Sequence, residues 1–167
     1  LLKATALKGI PPDSCLESVN KVLVDESLPS MFVTVFYGIF DTRNGSFEYC
    51  NGGHNPPYLI SAEGKVRQLD NRGGVFLGAL KNLEYESNVV MLQPGETLFL
   101  ITDGITEAMN PGEEMFGEKR TEESLQSHAG ESLNNLVENM IKEVQAFAGA
   151  QEQSDDMTCL TLRYFGR

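Results

Sequence analysis

The sequence FLITDGITEA, residues 99–108, joins an apolar segment to an abrupt polar end. The apolar run of residues 98–101 predicts a buried strand, which is followed by Asp103 and Gly104. An unpaired carboxylate at the end of such a strand is costly unless it is solvated, hydrogen-bonded or bound to a metal. The alternative is a loop carboxylate that caps a turn, which Asp-Gly sequences often form.

A second acidic segment stands near the end of the chain. Asp155 and Asp156 precede a strand predicted over residues 157–164. Adjacent carboxylates repel each other unless a cation or hydrogen-bond donors relieve the charge. Carboxylate oxygens are ligands that suit Mg²⁺ and Mn²⁺. We therefore predict that the ends of the two strands meet, and that a metal site at this point is one interpretation of the three acids.

Composition excludes several classes of function. The net charge of −11, from 24 acidic residues against 13 Lys and Arg, disfavours nucleic-acid binding, which depends on clustered cations. Three widely spaced cysteines without a Cys-x-x-Cys pair indicate reduced thiols and an intracellular, cytoplasmic location. No apolar run approaches the ~18 residues of a membrane span. The chain has no glycine-rich phosphate loop with its lysine, and with only His54 and His128 it offers no plausible Ser-His-Asp triad.

Helix and strand patterns alternate along the first half of the chain. Ser14 and Glu17 have the spacing of a capping box, which predicts a helix that continues to about Glu26 and is broken at Pro29-Ser30. Residues 31–40 are apolar on both faces, which predicts a central strand. Asn44-Gly45 predicts a tight hairpin to a return strand over residues 46–50.

Further hairpins and two helices complete the predicted order of elements. Residues 58–60 and 66–69 flank a turn, and residues 84–92 form a weaker strand candidate. Helices are predicted over residues 118–127 and from a cap at Ser132 to Gly149. Strands joined by short turns predict antiparallel sheets covered by helices, so the fold class is α+β in a single domain, residues 1–167.

Five motifs occur in the order and spacing of one family: FVTVFYGIFD, YCNGGHNPPYL, LQPGETLFLITDGITEA, MFGEKR and QSDDMTCLTL. They resemble the metal-dependent, protein phosphatase 2C-like (PP2C-like) phosphatases. The subtype is that of stage II sporulation protein E and the bacterial sigma-factor regulatory phosphatases. The Thr-Asp-Gly-x-Thr-Glu and Ser-Asp-Asp-Met-Thr blocks are the most specific, and the similarity covers essentially the whole chain.

The resemblance implies a four-layer α-β-β-α sandwich of two antiparallel sheets flanked by helices. It also implies two Mn²⁺ or Mg²⁺ ions, whose bridging water attacks phosphoserine or phosphothreonine, with no catalytic residues beyond the metal ligands. By motif position, Asp103 and Asp155 correspond to metal ligands. Gly104 would permit close backbone approach, and Asp156 and Glu107 correspond to supporting residues.

Two departures from the family pattern limit these expectations. The early acids of the family, in a Gly-Asp-Phe-type strand and an Asp-Val-Ser-Gly-x-Gly block, are not found in this sequence. We therefore expect an N-terminally incomplete domain without its first strands, with open sheet edges, weak binding of one ion and little activity by itself. In addition, His54 stands where related eukaryotic phosphatases carry an acid, so a structural role for His54 is favoured over a catalytic one.

The resulting hypothesis is a bacterial serine/threonine protein phosphatase in signal transduction. The resemblance implies a phosphorylated anti-anti-sigma factor as substrate and an upstream sensory or receiver domain. A homodimer is kept open as an assembly that would protect the sheet edges. The alternative is a catalytically incomplete phosphatase fold that serves in protein binding or scaffolding.

Overall fold

The computed structural model describes residues 1–26, 31–70, 74–153 and 155–166. The predicted helix break at Pro29-Ser30 lies outside these residues. The described chain forms two compact units. The first unit contains Leu1–Pro56 and Asp70–Leu92, and the second contains Pro57–Leu69 and Gln93–Gly166.

Five helices and seven strands are present in the described residues. In chain order they are α1 (Leu2–Ala6), α2 (Pro12–Glu26), β1 (Val35–Asp41), β2 (Ser46–Gly52), β3 (Tyr58–Ile60), β4 (Val66–Gln68), β5 (Ser87–Met91), β6 (Thr97–Ile101), α3 (Asp103–Thr106), α4 (Gly117–Ser127), α5 (Leu133–Ala148) and β7 (Cys159–Arg163).

The first unit contains α1, α2 and an antiparallel sheet in the order β1-β2-β5. The predicted hairpin is confirmed, because β1 and β2 pair from Val35 opposite Gly52 to Asp41 opposite Ser46. Gly45 adopts a φ of 80°, which a residue with a Cβ rarely takes. One cluster of buried residues in this unit consists of Leu16, Val19, Cys50, Leu77 and Tyr85.

The predicted capping box at the start of α2 is wrong. The helix begins two residues earlier, at Pro12, because proline suits the first helical turn, where its missing N–H is no loss. Ser14 lies inside the helix. The Glu17 carboxylate instead accepts a hydrogen bond from the backbone N–H of Tyr85, at 3.3 Å.

The prediction that residues 31–40 form a central strand is also wrong for the described sheet. The strand β1 begins at Val35 and pairs only with β2 among the described strands, so it stands at one end of the sheet. Phe32 and Val33 precede it and are 60% and 48% exposed. An apolar pattern on both faces reports what a strand could bury, but it does not report how many neighbours the strand has.

The second unit contains an antiparallel sheet in the order β4-β3-β6-β7, together with α3, α4 and α5. Side chains of β3 and β6 form its core with residues of α4 and α5, including Phe99, Leu125, Leu136 and Met140. The predicted cap of α5 is confirmed, because Ser132 accepts a hydrogen bond from the backbone N–H of Asn135 at 3.2 Å.

The predicted fold class is confirmed: two antiparallel sheets are accompanied by helices in an α+β arrangement. Among the described residues, no helix is both long and apolar enough to cross a membrane. The assignment of residues 1–167 to a single domain stays a prediction.

Candidate metal site

The second unit joins the two acidic segments by hydrogen bonds. The strands β6 and β7 pair up to Ile101 opposite Cys159. Beyond this pair, the backbone N–H of Thr102 donates to the Thr158 carbonyl at 3.1 Å. The Thr102 hydroxyl donates to the Asp156 carbonyl at 2.7 Å and accepts from the Thr158 N–H at 2.9 Å. We call residues 102–104 together with residues 155–158 the acid junction.

Gly104 brings the two backbones of the acid junction close together. It is buried at the start of α3. A Cβ atom at this position would lie 2.6 Å from the Asp156 carbonyl oxygen and 3.0 Å from that of Asp155. No ordinary side chain fits at these distances, so glycine at this position allows the two backbones to approach each other.

The two candidate ligand carboxylates stand on the two sides of the acid junction. Asp103 is exposed and begins α3, a short helix that the sequence did not predict. Its Oδ1 accepts from the backbone N–H of Gly104 at 3.1 Å. Asp155 is also exposed, and its Oδ1 accepts from the backbone N–H of Asp156 at 2.7 Å. Each carboxylate is thus oriented by the next residue and open to solvent.

The donor set fits part of a divalent-metal site. Within the described ranges, no group of three or more His, Cys, Asp or Glu side chains is arranged to hold a metal. Mg²⁺ is commonly bound through one or two carboxylates, with waters and substrate phosphates completing its shell. Asp103 and Asp155 can supply such a partial set, because the acid junction holds their backbones together.

Glu107 and Asp156 do not add a third ligand to this arrangement. Glu107 is the capping residue that follows α3 and is exposed, and its backbone N–H donates to the Asp103 carbonyl at 2.8 Å. Asp156 takes part through its backbone carbonyl, which accepts from Thr102, while its side chain is exposed. Both residues therefore contribute backbone contacts that orient the acid junction.

His54 belongs to the first unit, in a segment that we call the glycine loop, residues 51–55. The buried Asn51 side chain accepts from the His54 N–H at 2.8 Å and donates to the His54 carbonyl at 2.8 Å. The His54 Nδ1 accepts from the Asn55 N–H, also at 2.8 Å. Gly53 has a φ of 79°, and a Cβ there would lie 2.7 Å from the Phe76 nitrogen. These contacts favour a structural role for the loop.

Thr102 was missed as a site residue by the sequence analysis. It makes the hydrogen bonds that join the two segments, although its side chain carries no charge. The sequence carries no local signal for it, because the partners of its hydroxyl are backbone groups of Asp156 and Thr158, which lie 54 and 56 positions away.

Cys50, Cys159 and His128 have raised pKa values, and burial or hydrogen bonding within the fold explains each of them. Burial raises the pKa of the Cys50 thiol to about 12 and that of Cys159 to about 11, so neither is a reactive thiolate at neutral pH. The pKa of His128 is raised by its hydrogen bonds to Glu131, at 2.9 Å, and Glu143, at 2.8 Å. His128 thus links the end of α4 to α5.

Comparison with known proteins shows the family. The model of the family described as stage II sporulation protein E (SpoIIE) matches residues 1–165. Protein IcfG of Synechocystis is 30% identical over 189 residues, covering 97% of this chain and 30% of that protein. Phosphoserine phosphatase RsbU of Bacillus subtilis is 28% identical over 158 residues, covering 93% of this chain and 46% of RsbU. The chain therefore spans less than half the length of these relatives.

Solved structures share the fold. The SiaA-PP2C domain of Pseudomonas aeruginosa has a TM-score of 0.78 and 22% identity, covering 92% of this chain and 60% of that one. A structure of the PP2C phosphatase domain of SpoIIE from Bacillus subtilis, with a fragment of its regulatory domain, has a TM-score of 0.79 and 20% identity, covering 98% of this chain and 46% of that one. The chain belongs to the SpoIIE family of PP2C-like phosphatases.

Proposed function

We propose that the full-length protein hydrolyses phosphoserine or phosphothreonine on a protein substrate, with Mn²⁺ or Mg²⁺ as cofactor. Asp103 and Asp155 are the ligands that this chain would contribute. The observation that carries the proposal is the acid junction, in which Thr102 and Gly104 hold two acidic segments from distant parts of the chain against each other. Family membership supports phosphatase chemistry at this point.

The residues of the acid junction have separate tasks in this proposal. A bound divalent ion polarises phosphoryl oxygens and makes water a nucleophile at neutral pH. Asp103 and Asp155 would hold the cation at the acid junction. Thr102 fixes the separation of the two segments, and Gly104 removes the side chain that would force them apart. The exposure of both carboxylates leaves room for a phosphorylated side chain to approach.

The substrate that we propose is a phosphorylated anti-anti-sigma factor in a bacterial regulatory pathway. RsbU of Bacillus subtilis is a phosphoserine phosphatase. A fold relative from Mycobacterium tuberculosis, Rv1364c, carries RsbU and RsbW domains; it is 24% identical, with a TM-score of 0.74, and covers 99% of this chain and 46% of that one. We also propose a cytoplasmic location, an upstream sensory or receiver domain, and a single phosphatase domain to which both units belong.

The proposal is tested by Mn²⁺-dependent release of phosphate from a phosphoserine protein by the full-length protein. Asp103→Asn, which keeps the size of the side chain and removes its charge, should lower the rate by at least about a hundredfold. Asp156→Asn is the matched control, because that side chain is exposed and the residue acts through its carbonyl; its rate should fall much less. Equal rates for wild type and Asp103→Asn would contradict the ligand assignment.

The alternative of a catalytically incomplete binding or scaffolding module is not favoured by the family matches. It makes a different prediction for the same assay. A scaffold would bind the phosphoprotein without metal-dependent turnover, and Asp103→Asn would leave its behaviour unchanged. Residues 1–167 alone should show little activity, because the early acids of the family pattern are not in this sequence.

A further inference from the structure

A small cavity adjoins the acid junction within the second unit. Its volume is about 170 Å³, and it is partly open to solvent. The apolar part of its lining includes Gly104, Ala108, Met109, Val144, Ala148 and Met157, and its polar side chains are Gln145, Gln151, Glu152 and Gln153. Val144 is buried, whereas Met109 is 43% exposed at the surface. The cavity therefore offers apolar contacts together with polar groups.

The size and chemistry of the cavity select one class of occupant. A cavity of roughly 150 Å³ accommodates one benzene-sized group, so the volume of this cavity fits a single large aliphatic side chain. Methionine is flexible and polarisable, and it adapts to apolar partners of different shape. Among the described lining residues only Glu152 is ionisable, and its negative charge disfavours a phosphate in the cavity.

The cavity is continuous with the acid junction through two residues. Gly104 lines the cavity and also contacts the backbone of Asp156. Gln153 lines the cavity, and its side-chain amide donates to the Asp155 carbonyl at 2.6 Å. A peptide that places a phosphorylated side chain at the acid junction would therefore carry neighbouring residues past the opening.

We infer that this cavity is a specificity subsite that receives a large aliphatic side chain close in sequence to the phosphoserine or phosphothreonine of the protein substrate. The inference rests on the proposed function for the position of the phosphate. It adds a recognition element: the enzyme selects phosphoproteins by an apolar residue as well as by the phosphate. Burial of one leucine side chain is worth about a tenfold or greater gain in affinity.

Binding to the full-length protein tests the inference independently of turnover. The probes are peptides that carry a non-hydrolysable phosphonate analogue of phosphoserine in an Ala-Gly background, with one leucine moved through the flanking positions. At one position leucine should raise the affinity by about tenfold or more over alanine. No preference for leucine at any position would overturn the inference.

Substitutions in the cavity then test whether the cavity causes the preference for leucine. Ala148→Leu fills the space and should abolish the leucine preference, whereas Ala146→Leu, on an exposed part of the same helix, should retain it. Met109→Gln changes a surface side chain that the fold does not bury, and it should reduce the preference by several-fold even if Ala148→Leu folds poorly. A preference that survives both cavity variants would overturn the inference.

The outcomes separate the subsite from the proposed function. If leucine-dependent binding is lost in the cavity variants while the protein releases no phosphate from any phosphoserine substrate with Mn²⁺, the subsite stands and the phosphatase assignment fails. If phosphate is released without any leucine preference, the phosphatase assignment stands and the subsite fails. A change of oligomeric state in Ala148→Leu, without a change in peptide preference, would assign the cavity to a second copy of the chain and overturn the inference.

Discussion

The acid junction and the glycine loop are both polar turns at strand ends, but they are held together in different ways. The hydrogen bonds of Thr102 join residues 54 and 56 positions apart in the sequence. Those of Asn51 reach only three positions, to His54. The hydrogen bonds of the acid junction therefore depend on tertiary structure, whereas the side-chain hydrogen bonds of the glycine loop are local. We expect substitutions in the junction to change function, and those in the loop to change mainly stability.

The largest effect is expected from Gly104→Ala. Its Cβ would lie 2.6 Å from the Asp156 carbonyl oxygen, so the two acidic segments must separate. Over-packing of this kind costs about 1–3 kcal/mol of unfolding free energy. A displacement of the ligands by about 1 Å should lower activity by about a hundredfold.

Denaturant unfolding and Mn²⁺-dependent phosphatase rates measure both effects of Gly104→Ala. Gly130→Ala is the matched control in the same unit, because a Cβ there meets no atom within 4 Å. If Gly104→Ala keeps wild-type activity, the close approach of the two backbones is not needed for activity.

Removal of the Thr102 hydroxyl should have the next largest effect. Thr102→Val keeps the shape of the side chain and deletes both of its hydrogen bonds across the acid junction. The expected loss of stability is about 1–2 kcal/mol, with activity lower by about tenfold. Thr102→Ser retains the hydroxyl and should recover most of the stability and most of the activity. If serine does not rescue the valine defect, the hydroxyl is not the group that joins the segments.

The glycine loop should respond to Asn51→Asp by a loss of stability without a loss of Mn²⁺ affinity. Asn51 is buried, and its amide donates to the His54 carbonyl. Aspartate would place an acceptor against that carbonyl, at a cost of about 1–2 kcal/mol. Denaturant unfolding gives the stability of the variant, and Mn²⁺ titration of the folded variant gives its Mn²⁺ affinity. A fall in Mn²⁺ affinity that equals that of Asp103→Asn would abolish the distinction between the two regions.

The smallest effect is expected at His128, which belongs to neither region. Folding raises its pKa through Glu131 and Glu143, and the nearby Asn139 amide donates to Glu131 at 2.9 Å. The folded state thus holds the proton more tightly. The stabilisation is complete below the unfolded pKa of about 6.5 and is lost as pH rises through the higher folded pKa.

The variant His128→Gln should therefore be less stable than wild type by about 1 kcal/mol near pH 6, and the difference should shrink at alkaline pH. Urea unfolding of both proteins across this pH range measures it. A difference that grows with pH would contradict the assignment of the two carboxylates as partners of a protonated His128.

Local patterns predicted much of the fold. The alternation of strands and turns located the β1–β2 hairpin, and the apolar run before Asp103 located β6. The spacing of apolar residues and the cap at Ser132 located α5. These elements are specified by neighbouring residues, through turn conformation and helix periodicity, so one sequence is enough to predict them.

Features that depend on distant residues were not predicted. The position of β1 at one end of the described sheet depends on which partner strands are present. The role of Thr102 depends on Asp156 and Thr158, which no local pattern connects to it. The assignment of Asp103 and Asp155 as metal ligands came from the family resemblance and stays a prediction.

The central claim is that Asp103 is a metal ligand at the acid junction. The most direct test is Mn²⁺ titration of the full-length protein, followed by electron paramagnetic resonance, for wild type, Asp103→Asn and His54→Ala. Loss of a ligand should weaken Mn²⁺ binding by at least about tenfold in Asp103→Asn, and His54→Ala should bind like wild type. Equal Mn²⁺ affinity in wild type and Asp103→Asn would contradict the claim.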